Sequence, residues 1–122
     1  MFAGSVADPV DAYAAADVVV LPSRGGDSMP AVLIEAGLMG IPAVATPIQG
    51  IPEIVRPGVT GELVPVGDSD GLASAVTSIL SSPERARLLG DGARALCLEQ
   101  FAIDRVASIW TELLEDVVQT TR

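Results

Sequence analysis

Residues 22–53 read PSRGGDSMPAVLIEAGLMGIPAVATPIQGIPE, and the rest of the chain is organised around this run. A Gly25-Gly26 loop leads into a proline-started helical pattern, and the acids Asp27 and Glu35 bracket the junction. A helix start presents free backbone N–H groups and the positive end of the macrodipole, so it favours anions such as phosphate. Pro30 suits the first turn, because its missing N–H would have had no helical partner. With a helix beginning near Met29, the amides of Ala31 and Val32 are unsatisfied donors, and the two glycines let the preceding backbone approach a ligand closely. Two carboxylates repel a phosphate. Asp27 and Glu35 therefore read as acceptors for hydroxyl donors, such as those of a ribose or a hexose.

Working outward, Asp17 to Leu21 is a short β-branched apolar run bounded by Pro22, the pattern of a fully buried strand feeding the loop. Ligands of open α/β sheets bind at such strand ends. The helix from Met29 to Leu38 is expected to turn Val32, Leu33, Ala36 and Met39 toward the sheet and to stop at Gly40. Pro42 to Thr46 reads as the next strand, which puts Thr46, Gln49 and Gly50 on the same rim as Asp27. Upstream, Asp8-Pro9 opens a helix through Ala16, with Asp8 as its N-cap. Downstream, Pro57-Gly58 and Thr60-Gly61 are turn signals and Glu62 to Pro65 reads as a last strand, so a β-rich tail to the sheet is expected. Asp70 then opens a helix carrying Leu72, Ala75, Val76 and Ile79, and Ser82-Pro83-Glu84 opens another through Leu96. From Asp104, the spacing of Val106, Ile109, Trp110, Leu113, Leu114 and Val117 marks an amphipathic terminal helix.

With 122 residues the chain can bury the core of one compact domain but not two. At 49% hydrophobic and 3% aromatic, rich in Ala and Val, it has the composition of an α/β protein with buried parallel strands. Sixteen acids face seven arginines and no lysine, a net charge of −9 that argues against nucleic-acid binding and against a basic membrane-docking face. Arg85, Arg87 and Arg94 sit among Glu84, Asp91 and Glu99, which favours a solvated helix face over an anion site. Without histidine there is no Ser-His-Asp or Cys-His arrangement and no histidine metal site. Cys97 is single and lies in an apolar helical stretch, where a core role is expected. No apolar run reaches the ~18 residues of a membrane span, and the first residues lack a signal-peptide plan. Together these features predict a cytoplasmic protein.

Four ordered elements resemble the donor-binding half of the retaining, nucleotide-sugar-dependent glycosyltransferases of the GT-B fold, glycosyltransferase family 4. They are Pro22-Ser23, the acid pair Asp27 and Glu35 in place of Glu-x7-Glu, the run Ala36-Gly37-Leu38-Met39-Gly40-Ile41-Pro42-Ala43-Val44-Ala45-Thr46, and Gly50-Ile51-Pro52-Glu53-Ile54-Val55. The likeness covers nearly the whole chain. It implies a single partial C-terminal domain over 1–122, a Rossmann-like three-layer α/β sandwich with a mostly parallel sheet. In it, 22–40 forms the donor-site loop and helix, 71–121 forms the C-terminal helices, and the upstream strands are missing. Met1-Phe2-Ala3-Gly4 then resembles the end of a strand. Glu35 would hold the ribose hydroxyls of the donor, and Asp27 would contact the transferred sugar as the catalytic acid of the pair. Ser28, Met29, Pro30 and Ala31 would line the sugar and phosphate site, with Gly50 beside them. For Glu53 two readings stand together, a first-turn acid favouring its own helix start and a residue near the donor phosphates.

The resemblance also implies a metal-independent reaction with no cofactor besides the nucleotide-sugar substrate. Relatives neutralise the donor diphosphate with an Arg or Lys pair upstream of the region covered, and take the acceptor from a separate N-terminal domain. Arg24 is the cation beside the site here. Three hypotheses follow: the donor half of a glycosyltransferase, a non-catalytic nucleotide-sugar binding module, and an inactive truncated remnant. The unpaired edge of the Asp17 to Leu21 strand predicts an N-terminal partner domain or self-association. Nucleotide, sugar and acceptor are not named by the sequence.

Overall fold

The computed structural model describes residues 1–26 and 28–121. Three short strands, β1 (Val19–Leu21), β2 (Ala43–Ala45) and β3 (Gly61–Leu63), form a parallel sheet in that order, with Val19 opposite Ala43 and Ala43 opposite Gly61. Six helices surround it: α1 (Val10–Ala15), α2 (Ala31–Leu38), α3 (Ile51–Ile54), α4 (Ser69–Leu80), α5 (Pro83–Gln100) and α6 (Ile103–Thr120).

Alternation along the central strand builds the three layers, because successive side chains leave a strand on opposite faces. Ala43 and Ala45 enter a cluster with Leu33 of α2, Ile51 and Ile54 of α3, and Cys97 of α5. Val44 points the other way, to Val64, Ile79 of α4 and Leu89 of α5. Helix α5 thus ties the two clusters together. Ile79 is fully buried, a side-chain contribution of about 2 kcal/mol from apolar area alone. Helices α2 and α5 meet where Gly37 faces the Cys97 sulfur, a contact with no room for a larger residue. Gly90 and Gly92 of α5 likewise lie against the backbone carbonyls of Gly40 and Val59.

Several expectations need correction. The Asp17 to Leu21 strand is not fully buried: Val19 and Leu21 are half-buried and Val20 is exposed. Among the described residues no strand pairs with its outer edge, so that flank lacks a cover. For the same reason Met1 to Gly4 form no strand, and Met1 and Phe2 are exposed. Helix α2 begins at Ala31, not Met29, because a residue preceding proline is pushed out of the α region and Pro30 itself is extended, with φ −72° and ψ 119°. Met39 is exposed rather than packed on the sheet, since the chain turns away through Gly40 at φ +73°. After β2, among the described residues, there is one parallel strand, Gly61–Leu63, in place of a β-rich tail. Helix α4 starts at Ser69, two residues behind 71 and ahead of Asp70, because the Asp68 carboxylate accepts the Gly71 N–H at 2.8 Å and caps it. Helix α1 departs from its expected bounds: it runs from Val10 to Ala15 with Pro9, not Asp8, at the N-cap, and the Asp8 carboxylate instead accepts the Val10 N–H at 3.0 Å from outside the helix.

Other expectations stand. Ser82 caps α5, which runs four residues past Leu96. Arg85 pairs with Glu62 and Arg87 with Asp91, the behaviour of a solvated face. Cys97 is buried, and burial raises its thiol pKa. Helix α6 buries no residue, and its apolar face, including Ile109, Trp110 and Leu113, is exposed. Among the described residues no helix is long and apolar enough to cross a membrane.

Candidate functional site

All three parallel strands end on one rim, and the loops that follow β1 and β2 are joined to one another. Thr46, buried just after β2, donates its hydroxyl to the Ser23 carbonyl at 2.6 Å and so holds the loop that follows β1. Further on, the Gly50 N–H donates to the Ser28 carbonyl at 2.8 Å. Met29 lies against the same glycine, its terminal methyl 3.3 Å from where a Cβ would sit. Between these anchors Gln49 takes φ +46°, a left-handed conformation rare outside glycine. Backbone strain of this kind persists where the surroundings over-determine it.

Seven of the expected site residues therefore fall at two adjoining places, the loop leading into α2 with α2 itself and the start of α3. Ser28, Met29 and Gly50 form one contact cluster. Pro30 is the N-cap of α2, and its side chain makes no capping bond, so the first-turn amides at Ala31 and Val32 point to the space in front of the helix. Ala31 and Glu35 are four residues apart and both exposed, hence neighbours on one helix face. The Gly50 amide is engaged by Ser28, so this residue shapes the rim through its contacts. Glu53 is exposed in the first turn of α3, with Gly50 as the N-cap. Asp27, expected to act on the transferred sugar, lies outside the described residues.

The sequence reading missed Tyr13. Its O–H donates to Glu35 Oε2 at 2.6 Å, joining α1 to α2. Burial first, and then the hydrogen bond and charge of Glu35, push the phenol up to about 12, so it stays protonated and a donor through the neutral range. A single tyrosine among so few aromatic residues was the only signal, and it did not point to Glu35. Thr46 was placed on the rim but not recognised as the residue that fixes its loop.

A separate cavity of about 240 Å³ lies at the same strand ends, lined by Pro22, Arg24, Thr46, Val64 and Asp68 among others. Arg24 is exposed there and has no ion pair among the described residues. None of the expected donor residues lines this cavity. Glu35 carries more chemistry than this cavity, because its carboxylate is held by Tyr13 one turn from first-turn amides that no side chain among the described residues caps.

Comparison with known proteins agrees with this architecture. The sequence pattern of the family described as Glycosyl transferases group 1 matches residues 1–82. N-acetyl-alpha-D-glucosaminyl L-malate synthase of Bacillus anthracis is 33% identical over 119 residues, covering 98% of this chain and 31% of that protein. Sucrose-phosphate synthase from Thermosynechococcus elongatus superposes with a TM-score of 0.83 at 33% identity, over 92% of this chain and 28% of that one. Anabaena HepE, solved in complex with UDP, gives a TM-score of 0.85 at 28% identity, over 91% of this chain and 30% of that one. The chain thus spans under a third of the length of each of these relatives. On the family pattern, the sequence identity and the shared α/β fold, this chain belongs to the glycosyl transferases of group 1.

Proposed function

We propose that the chain is the donor-binding portion of a retaining, metal-independent glycosyltransferase of family 4 that takes its sugar from a nucleotide-sugar. The observation that carries this reading is Glu35: an exposed carboxylate, one turn along the helix face from the first-turn amide of Ala31, which no side chain among the described residues caps, and already held by a neutral donor. Such a group accepts sugar hydroxyls, while the helix start beside it favours phosphate. The neighbour solved with UDP supports a uridine nucleotide as the first ligand to try. Asp27 would contact the transferred sugar, Ser28, Met29 and Pro30 would line its site, and Glu53 serves the start of α3. Transfer to an acceptor then needs a further domain, in the same polypeptide or another, that brings the acceptor and the cations for the diphosphate. The one buried cysteine agrees with a cytoplasmic location.

Isothermal titration with UDP, GDP and ADP and their sugars tests this. Saturable binding of one nucleotide that a Glu35→Ala variant loses is the expected result; no heat with any of them from a folded sample would sink the reading. The open edge of β1 supports an additional chain or second copy at that flank. A monodisperse monomer in sedimentation would count against it.

A further inference from the structure

We infer that Tyr13 is a positioning residue of the donor site, its O–H holding Glu35 so that the carboxylate meets both hydroxyls of a vicinal diol at once. This rests on the reading of Glu35 as the acceptor of ribose hydroxyls.

The Tyr13 to Glu35 hydrogen bond measures 2.6 Å, in the short range of a neutral hydroxyl on a carboxylate. An exposed glutamate on a helix samples several rotamers and loses that freedom when a ligand fixes it. Tyr13 is half-buried on a different helix and has only two side-chain torsions, so it removes part of that loss before the ligand arrives. An ionised carboxylate has about four lone-pair sites. Tyr13 occupies one on Oε2, and among the described residues nothing donates to Oε1. One oxygen thus remains open, the other partly so, and the two hydroxyls of a cis-diol can each meet one of them. A phenol is neutral and a donor at ordinary pH. The class of ligand this arrangement selects is a nucleoside diphosphate with an intact 2′,3′-diol.

Titrations of the full chain with UDP and with 2′,3′-dideoxyuridine diphosphate, for the wild type, Tyr13→Phe, Glu35→Ala and the double variant, test the inference, with thermal melts as a folding control and the GDP and ADP pairs run alongside. Tyr13→Phe is expected to weaken the ribonucleotide about tenfold and the dideoxy analogue less than twofold, with no added effect in the Glu35→Ala background. Wild-type discrimination left unchanged by Tyr13→Phe would overturn the role of Tyr13 while sparing that of Glu35. Equal losses for both probes, accompanied by a lower melting temperature, would mark Tyr13 as a structural residue and also overturn it. Should the wild type fail to discriminate, or bind none of the three nucleotides, the reading of Glu35 falls and the inference falls with it.

Discussion

Gly50 gives its amide to the carbonyl of Ser28 at 2.8 Å, and the position where a Cβ would stand is already filled by that carbonyl. The two loops of the rim are therefore fixed through a residue that can carry no side chain. Gly50→Ala must displace backbone rather than a flexible side chain, so a loss of about 1–3 kcal/mol is expected. Nucleotide affinity should drop at least tenfold, because the start of α2 moves with Ser28. Thermal melts paired with calorimetric titration check this, and unchanged affinity would show that the loop is free to shift without cost to the site.

Gly37 offers a cleaner test of packing. Alanine there would gain helix propensity, up to about 1 kcal/mol, but its methyl meets the Cys97 sulfur. Overpacking is expected to dominate, at about 1–3 kcal/mol. Adding Cys97→Ala should restore most of the loss by vacating the sulfur's volume. Urea midpoints of the two single variants and the double variant would show this as a favourable coupling, and strict additivity would contradict the contact.

Thr60 is 2% exposed and makes two hydrogen bonds at 2.8 Å, donating to the Ile54 carbonyl and accepting from the Arg56 amide. Thr60→Val keeps the shape and leaves both backbone groups without this partner. A loss of about 2 kcal/mol or more is expected, against a much smaller one for Thr60→Ser. Similar midpoints for valine and serine in chemical denaturation would exclude the hydroxyl as the cause.

Tyr13 is the only tyrosine, so its ionisation can be followed directly by near-ultraviolet absorbance. Its folded pKa of about 12 lies above the ordinary 10.0, so folding favours the neutral phenol. That contribution to stability is complete below pH 10 and is lost as pH rises from 10 through 12. Glu35→Ala is expected to lower the midpoint only partway to 10, because burial is the larger cause and Glu35 the lesser. A midpoint near 10 in the wild type would rule out the contact with Glu35.

Much of this architecture was legible locally. Pro30 beside the start of α2, Ser82 capping α5, Gly40 ending α2 and Cys97 in the core each follow from a residue and its near neighbours, because caps, turns and helical periods repeat within a few residues. Errors arose where a boundary depended on a partner elsewhere. Strand β1 was read as fully buried from its β-branched composition, yet burial also needs a strand on its outer side. Helix α4 was started at Asp70 when Asp68 is the residue whose carboxylate reaches Gly71.

From the sequence alone came the order of the strands from β1 onward and of the helices that follow them, and Glu35 as the proposed acceptor on the rim, since hydrophobic period and motif spacing are properties of the chain. Only the tertiary structure decided that Tyr13 reaches Glu35 across 22 residues, that Gly50 is the seat of Ser28, and that Gly37 must leave room for Cys97. These contacts depend on how the helices that link parallel strands pack back onto the sheet and onto one another. No local pattern encodes that packing, because each partner looks ordinary until the other is placed beside it.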